Sequence, residues 1–222
     1  LNIQEWSRYN NYDLRGKKYI IQGFGNVGYH TCELLNMFGM NLIAVGDHSG
    51  YLYNPEGFNV FNLRDYLREH QSLNDYPFGE KVSKDDFFQI PCNVIIPSAL
   101  ELQIDEQIAP NIQTNLIVEA ANGPIDFEAE QILEQRGIPI IPDILANSGG
   151  VLVSYYEWLQ NKRDEYWDYQ LIRDKFDTHI AKTFSKIYKL SEQEGVSLRD
   201  ASFLYSLQKL EANFKCRGSI LK

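Results

Sequence analysis

The sequence predicts an α/β fold in which a doubly wound parallel sheet carries C-terminal helices packed back on it. Three observations lead there. The run Tyr19-Ile20-Ile21-Gln22 opens into Gly23-Phe24-Gly25-Asn26-Val27-Gly28, three glycines at the spacing G-x-G-x-x-G. A second apolar run closes on Asp47, about 20 residues beyond the last of those glycines. From Lys17 to Gly150 strand-like and helix-like stretches alternate, and after Gly150 only helical patterns follow. Together they describe a Rossmann-type sheet, whose parallel strands are joined by right-handed helical crossovers.

Taken in order, residues 1–16 read as the end of a linking helix, with Trp6 and Tyr9 as packing contacts and Asn10-Asn11-Tyr12-Asp13 as the breaker. Because the helical pattern is already under way at Leu1, the expectation is that an upstream part of the protein is missing from this chain. Residues 18–22 form a buried strand. Gly23 then permits the sharp turn, Gly25 lets a pyrophosphate approach the backbone, and Gly28 lets the following helix pack close to the sheet. That helix starts by offering unpaired N–H groups and its positive dipole end to a phosphate. Its apolar positions are Val27, Cys32, Leu34, Leu35 and Phe38, and Gly39 stops it.

Residues 41–46 make the second strand, and Asp47 stands where a carboxylate accepts a hydrogen bond from the adenosine ribose 2′-OH. Residues 50–57 are rich in turn formers, and Leu63, Tyr66, Leu67 and His70 outline a short helix. Further strands are expected at 93–97, 116–118 and 138–141, with helices at 103–109 and 127–135, the latter capped by Asp126. Three helices follow at 151–160, 172–190 and 198–214, the last opened by Ser197 with Asp200 three residues on. Ile172, Phe176, Ile180, Phe184 and Ile187 form one apolar stripe. So short a helical tail has too thin a core to stand alone. The organisation expected is therefore 1–16 linking helix, 17–150 dinucleotide-binding domain, and 151–222 a helical wrap of that same domain.

Composition narrows the partners. At 222 residues, with 44% hydrophobic residues, the chain has ample material for a core, and its net charge of -9 argues against nucleic acid or an anionic membrane as the main partner. Cys32, Cys92 and Cys216 are widely spaced without a C-x-x-C, and His30, His48, His70 and His179 are scattered, so neither a disulfide framework nor a metal site is expected. No apolar run reaches membrane-spanning length and no signal-peptide pattern opens the chain.

Ligands of open α/β sheets lie at the carboxyl ends of the strands, which directs attention to three small-residue loops. They are Pro97-Ser98-Ala99-Leu100-Glu101, Glu119-Ala120-Ala121-Asn122-Gly123-Pro124, and the loop from Pro142 through Asn147 to Gly150. Any one of them is equally well a simple turn. Asn122 and Asn147 each offer an amide that both donates and accepts, suited to a ribose or a carboxamide.

These loops, with the glycine turn and Ser154-Tyr155-Tyr156-Glu157-Trp158, resemble the C-terminal cofactor-binding domain of glutamate dehydrogenase, in the superfamily that also holds leucine, phenylalanine and valine dehydrogenases. The resemblance extends through Leu198-Arg199-Asp200-Ala201 to Arg217-Gly218. It implies an NAD-linked oxidation of L-glutamate to 2-oxoglutarate and ammonia, with NADP as the alternative cofactor. Carried over by residue, Gly23, Gly25, Asn26, Val27 and Gly28 would line the pyrophosphate and Asp47 the adenosine ribose. Ala99 would touch the cofactor beside the third strand, Asn122 and Asn147 its nicotinamide end, and Ser154 the substrate side-chain carboxylate. Without the resemblance, Ser154 reads as a hydroxyl bonded back to the preceding helical turn. Asp47 favours NAD, because a carboxylate repels a 2′-phosphate, whereas a protonated His48 would tolerate one.

Three positions depart from the family pattern: Ala120 replaces a usual glycine, Ile125-Asp126-Phe127 replaces Thr-Thr-Pro or similar, and Ser148 replaces a common alanine. Ala120 adds a methyl that would crowd the cofactor edge. The family's catalytic lysine, its aspartate partner and most of the substrate pocket belong to an N-terminal domain to which nothing here is similar. No catalytic residue is therefore expected in this chain, which should bind a dinucleotide without turning over glutamate. The implied partners are that missing domain and further copies in a homo-oligomer, commonly a hexamer in the family, in the mitochondrial matrix or the cytoplasm. The alternative is an inactive dinucleotide-binding or purely structural module within a larger assembly.

Overall fold

The computed structural model describes residues 1–216, the last of them by its backbone alone, and a seven-stranded sheet runs through its middle. In chain order the strands are β1 (Lys18–Gln22), β2 (Asn41–Asp47), β3 (Gly50–Tyr53), β4 (Glu80–Val82), β5 (Val94–Pro97), β6 (Leu116–Val118) and β7 (Ile140–Ile141). They lie side by side as β4-β3-β2-β1-β5-β6-β7. The five strands β2, β1, β5, β6 and β7 are mutually parallel, as expected of a doubly wound sheet. The helices are α1 (Asn2–Tyr9), α2 (Asn26–Met37), α3 (Val60–His70), α4 (Lys84–Gln89), α5 (Phe127–Gln135), α6 (Asp143–Ala146), α7 (Gly149–Arg163), α8 (Tyr169–Glu194) and α9 (Leu198–Cys216).

Alternation along the strands builds two cores. Tyr19 and Ile21 of β1 face a layer holding Cys32 and Leu35 of α2, Phe184 and Ile187 of α8, and Ala201 of α9. Ile20 points the opposite way, with Ile95 and Ile117, against Phe87 and Phe88 of α4 and Ala129 and Leu133 of α5. A fully buried Phe184 contributes about 1.5–3 kcal/mol of hydrophobic stabilisation, so the stripe on α8 is what pins that helix down. Tyr9 of α1 stacks on Tyr188 of α8 with ring centroids 4.5 Å apart, and Trp6 is buried beneath.

Several expectations need correction. Residues 50–57 are not merely a turn. β3 folds back antiparallel on β2, with Asp47 opposite Gly50, and β4 extends it antiparallel, so the sheet is mixed at that edge. Gly46 makes the hairpin feasible, since a Cβ there would occupy the space of the Tyr51 ring. Strand β4 is too short to show a period, and the two aromatics that bury α4 are adjacent rather than helically spaced. The N-cap of α4 is Ser83, which accepts from the Asp86 N–H at 3.1 Å.

No helix forms over 103–109. Asp105 Oδ1 accepts from the N–H groups of Gln107 and Ile108, closing one turn, and Pro110 withholds the N–H that a longer helix needs. What remains is a 3-10 turn at Ala109–Asn111. Val27 and Leu34 of α2 are exposed at 55% and 48%, so the buried stripe of that helix is narrower than expected. The loop after Pro142 contains α6, and α7 begins at Gly149 and runs to Arg163. The Asp126 and Ser197 caps form as expected, Asp126 accepting from the Ala129 N–H at 2.6 Å and Ser197 from the Asp200 N–H at 3.1 Å. Arg217 and Gly218 lie outside the described residues.

Candidate functional site

The chain leaves β1 for β2 on one side, and the sheet continues through β5 on the other, so the crevice of this sheet opens above the carboxyl ends of β1 and β5. The glycine turn occupies that point. Gly23 has φ +95°, and a Cβ on it would lie 2.7 Å from the Ser98 carbonyl carbon and 2.8 Å from the Ala99 nitrogen. A Cβ on Gly28 would collide with the Gly23 carbonyl. Nothing stands within 4 Å of where a Cβ on Gly25 would be. Two glycines thus serve packing, and the middle one faces open space.

Ser98 locks this turn to β5. Its N–H donates to the Gln22 carbonyl at 2.7 Å, and its hydroxyl sits 2.8 Å from the carbonyl oxygens of both Gln22 and Gly23. Ala99, next in line, is exposed at the rim. Gly25 is the N-cap of α2, and Asn26 and Val27 are exposed in its first turn, while Gly28 is buried. Beside them is a cavity of about 230 Å³ lined by Phe24, Gly25, Asn26, Tyr29, Arg64, Leu67 and Arg68. The Arg64 guanidinium lies over the Tyr29 ring, 3.9 Å from its centroid. Sequence reasoning passed over Arg64 and Arg68. Their separation by four residues on α3 was the available signal, since it puts two cations on one helix face.

At the end of β2, Asp47 Oδ1 accepts from the Ser49 N–H at 2.7 Å and from its hydroxyl at 2.6 Å. The Leu73 N–H donates to Ser49 Oγ at 2.7 Å, which fixes the hydroxyl that orients the carboxylate. Both bonds fall on Oδ1. His48 is exposed alongside.

The loops after β6 and β7 are joined. Asn147 Nδ2 donates to Asn122 Oδ1 at 2.7 Å, and the Gly123 N–H donates to Asp143 Oδ2 at 2.9 Å. The N–H groups of Ala120 and Ala121 both reach the Pro97 carbonyl, at 3.0 and 2.9 Å, tying this loop to the end of β5. Ala120 packs against the α2-side core. Behind these loops lies an ion cluster that sequence reasoning missed. Arg199 of α9 bonds Glu119 through both carboxylate oxygens at 2.8 Å, Asp143 at 3.0 Å, and Glu130. Burial raises the pKa of the inaccessible Glu119 carboxyl, against the pull of Arg199 and of the Asp143 N–H. Burial also opposes the Arg199 charge, but its bonds to Glu130 and Glu119 outweigh that and raise its pKa.

Ser154 is exposed on α7, and its hydroxyl makes no hydrogen bond among the described residues, so the back-bonded geometry is not adopted. Val151, Val153, Tyr155 and Trp158 are exposed on the same helix. Among the described residues no group of His, Cys, Asp and Glu is arranged to hold a metal ion, and no helix is long and apolar enough to cross a membrane.

Comparison with known proteins adds a family. The model of the Glutamate/Leucine/Phenylalanine/Valine dehydrogenases matches residues 2–218. A glutamate dehydrogenase of Thermotoga maritima is 38% identical over 199 residues, which are 89% of this chain and 48% of that protein. An NAD-specific glutamate dehydrogenase of Clostridioides difficile is 35% identical over 211 residues, covering 93% of this chain and 50% of that one. The chain therefore spans about half the length of the curated relatives it matches. The solved hetero-hexameric glutamate dehydrogenase of Thermus thermophilus, in its leucine-bound form, superposes with a TM-score of 0.90 at 28% identity, over 98% of this chain and 51% of that one.

Proposed function

The chain belongs to the glutamate/leucine/phenylalanine/valine dehydrogenase family, and on that premise we propose that it is the NAD-binding part of a glutamate dehydrogenase converting L-glutamate to 2-oxoglutarate and ammonia. The observation that carries this is the contrast among the three glycines. Gly23 and Gly28 are hemmed in by backbone, while Gly25, at the N-terminus of α2, faces empty space. That is the arrangement a pyrophosphate requires: close approach to backbone N–H groups at the positive end of a helix dipole.

In this reading Gly23, Gly25, Asn26, Val27 and Gly28 border the pyrophosphate, with Arg64 and Arg68 adding positive charge beside it. Asp47, oriented by Ser49, accepts from the adenosine ribose 2′-OH and disfavours a 2′-phosphate, so NAD is preferred to NADP. The name of the Clostridioides relative supports the same choice. Ala99 borders the cofactor at the rim of β5. Asn122 and Asn147, already bonded to each other, hold the nicotinamide end, and Ser154 contacts the substrate carboxylate from α7. Bound NAD supplies the hydride acceptor; this chain positions it and forms one wall of the cleft. The opposite wall, with the catalytic lysine, comes from an N-terminal domain, because a near-attack geometry needs substrate held from both sides.

The domain organisation proposed is a dinucleotide-binding part at 17–150 with 151–222 wrapped on it, and 1–16 as the connecting helix. The packing of α8 and α9 into the same core as β1 supports that reading. Assembly into a hexamer is proposed on the strength of the Thermus relative, and the bacterial relatives favour the cytoplasm over the mitochondrion. The test is titration of the chain with NADH, followed by intrinsic fluorescence. Saturable binding with no glutamate oxidation by the chain alone is the expected result. Failure to bind NADH or NADPH would leave the purely structural module as the reading.

A further inference from the structure

We infer that Arg199 is a positioning residue for the nicotinamide end of the cofactor, acting by holding the loops after β6 and β7 in one fixed relation. The inference rests on the NAD-binding reading above and names a residue outside the strand-end loops. Arg199 is the second residue of α9, where a cation opposes the helix dipole, so something other than helix stability places it there. Its neighbours supply the reason.

Each loop is reached through a carboxylate bound to the same guanidinium. Glu119, at the end of β6, takes Nη2 through both oxygens at 2.8 Å, and it immediately precedes Ala120-Ala121-Asn122. Asp143, the first residue of α6, takes Nη1 at 3.0 Å and with its other oxygen accepts from the Gly123 N–H at 2.9 Å. Glu119 Oε2 also accepts from the Asp143 N–H at 2.7 Å. The bonds therefore run from Arg199 to backbone positions in both loops, next to Asn122 on one side and leading to Asn147 on the other. A planar guanidinium holds three acids in three fixed directions, which an ammonium does not.

Stability is a weak explanation for such a cluster, because desolvating buried charges costs about as much as their attraction returns. Geometry is the stronger one. Without the guanidinium, Glu119 and Asp143 would repel each other, and Asp143 would be drawn off Gly123. The Asn122–Asn147 pair would then lose its frame, while the glycine turn keeps the bonds from Ser98 to the Gln22 and Gly23 carbonyls, none of which involves Arg199 or its acids.

The experiment compares NADH with ADP-ribose, which has the adenosine and pyrophosphate but no nicotinamide, on the full chain. For Arg199→Lys and Glu119→Gln we expect the NADH dissociation constant to rise about tenfold while that for ADP-ribose stays within about twofold. Glu130→Gln is the control, removing a partner of Arg199 that touches neither loop. It should leave both constants unchanged. Equal weakening of both ligands in Arg199→Lys and Glu119→Gln, or no weakening of NADH, overturns the positioning role. If the unaltered chain binds neither ligand, the NAD-binding reading fails first and this inference with it, so the two failures are distinguishable. A thermal melt of each variant identifies any that does not fold, and Arg199→Lys, which keeps the charge, is the variant expected to fold best.

Discussion

The Gly28 α-carbon faces the Gly23 carbonyl with no room for a side chain, since a Cβ there would lie 2.9 Å from the carbonyl carbon and closer still to its oxygen. Gly25, between them in sequence, has a φ of -75° and empty space before it. One short turn therefore holds two crowded glycines and one open one, the open one being where the pyrophosphate is proposed to approach.

Gly28→Ala should destabilise the chain by about 1–3 kcal/mol, because backbone has to move. Gly25→Ala should change stability by no more than about 0.5 kcal/mol, since its φ suits any residue. The same methyl would stand in the proposed path of the pyrophosphate and should then weaken NADH about tenfold. Urea unfolding and NADH titration of both variants check this; an unimpaired Gly25→Ala would remove the pyrophosphate from that position.

Asp47→Ser should cost NADH about 1.5–3 kcal/mol, the value of a hydrogen bond to a charged group, and should narrow or reverse the preference over NADPH. Ser49→Ala leaves the carboxylate but frees it to rotate, so a smaller loss of NADH affinity is expected. Competitive titration with the two cofactors measures both effects. Unchanged selectivity in Asp47→Ser would mean that the ribose is read elsewhere.

Arg199→Met should be destabilising in a pH-dependent way. Burial raises the Glu119 carboxyl above its usual 4.5, and Arg199 is among the groups pulling it back. Removing Arg199 therefore raises that folded-state pKa further. A carboxyl that holds its proton more tightly folded than unfolded lowers stability as pH rises from its unfolded value through its folded one. The deficit of the variant should accordingly be small near about pH 4.5 and reach about 3–5 kcal/mol near neutrality, where a buried acid is left uncompensated. Unfolding curves at the two pH values decide it, and a pH-independent deficit counts against the account.

Cys32 and Cys92 both have thiols pushed up to about 12, chiefly by burial. At about pH 8 only about one thiol in 10⁴ at each site is then a thiolate, so both should resist iodoacetamide in the folded chain and react in urea. Peptide mass mapping follows each cysteine separately. Rapid labelling of native Cys32 would contradict its packing against the sheet.

Much of this protein was readable in advance where local chemistry acts alone. The Lys18–Gln22 strand, the glycine turn, the Asp126 cap and the α8 stripe of Ile180, Phe184 and Ile187 each depend on spacing within one stretch. Both misreadings turn on strand pairing. β3 exists because β2 offers it an edge and Gly46 makes room for Tyr51, and 103–109 fails as a helix because Ile104 bridges to Ile125 while Asp105 spends its side chain on a single turn. Tyr51 meets Gly46 across a tight hairpin, where only the pairing itself separates strand from turn, whereas Ile125 is distant in sequence from Ile104.

The candidate site divides along the same line. The sequence by itself determined which residues stand at strand ends and which glycines break the chain there, because turn geometry and periodicity are properties of neighbouring residues. The closure of Gly28 by the Gly23 carbonyl is likewise set within the turn, while only the tertiary structure decided that Ser98 and Ala99 close Gly23, that Arg64 and Arg68 flank that turn and that Asn122 meets Asn147 beside the cluster of Arg199. Those relations join atoms from different strands and helices, and short-range charge and hydrogen-bond forces act between them only after the sheet has brought the separate strand ends to one edge.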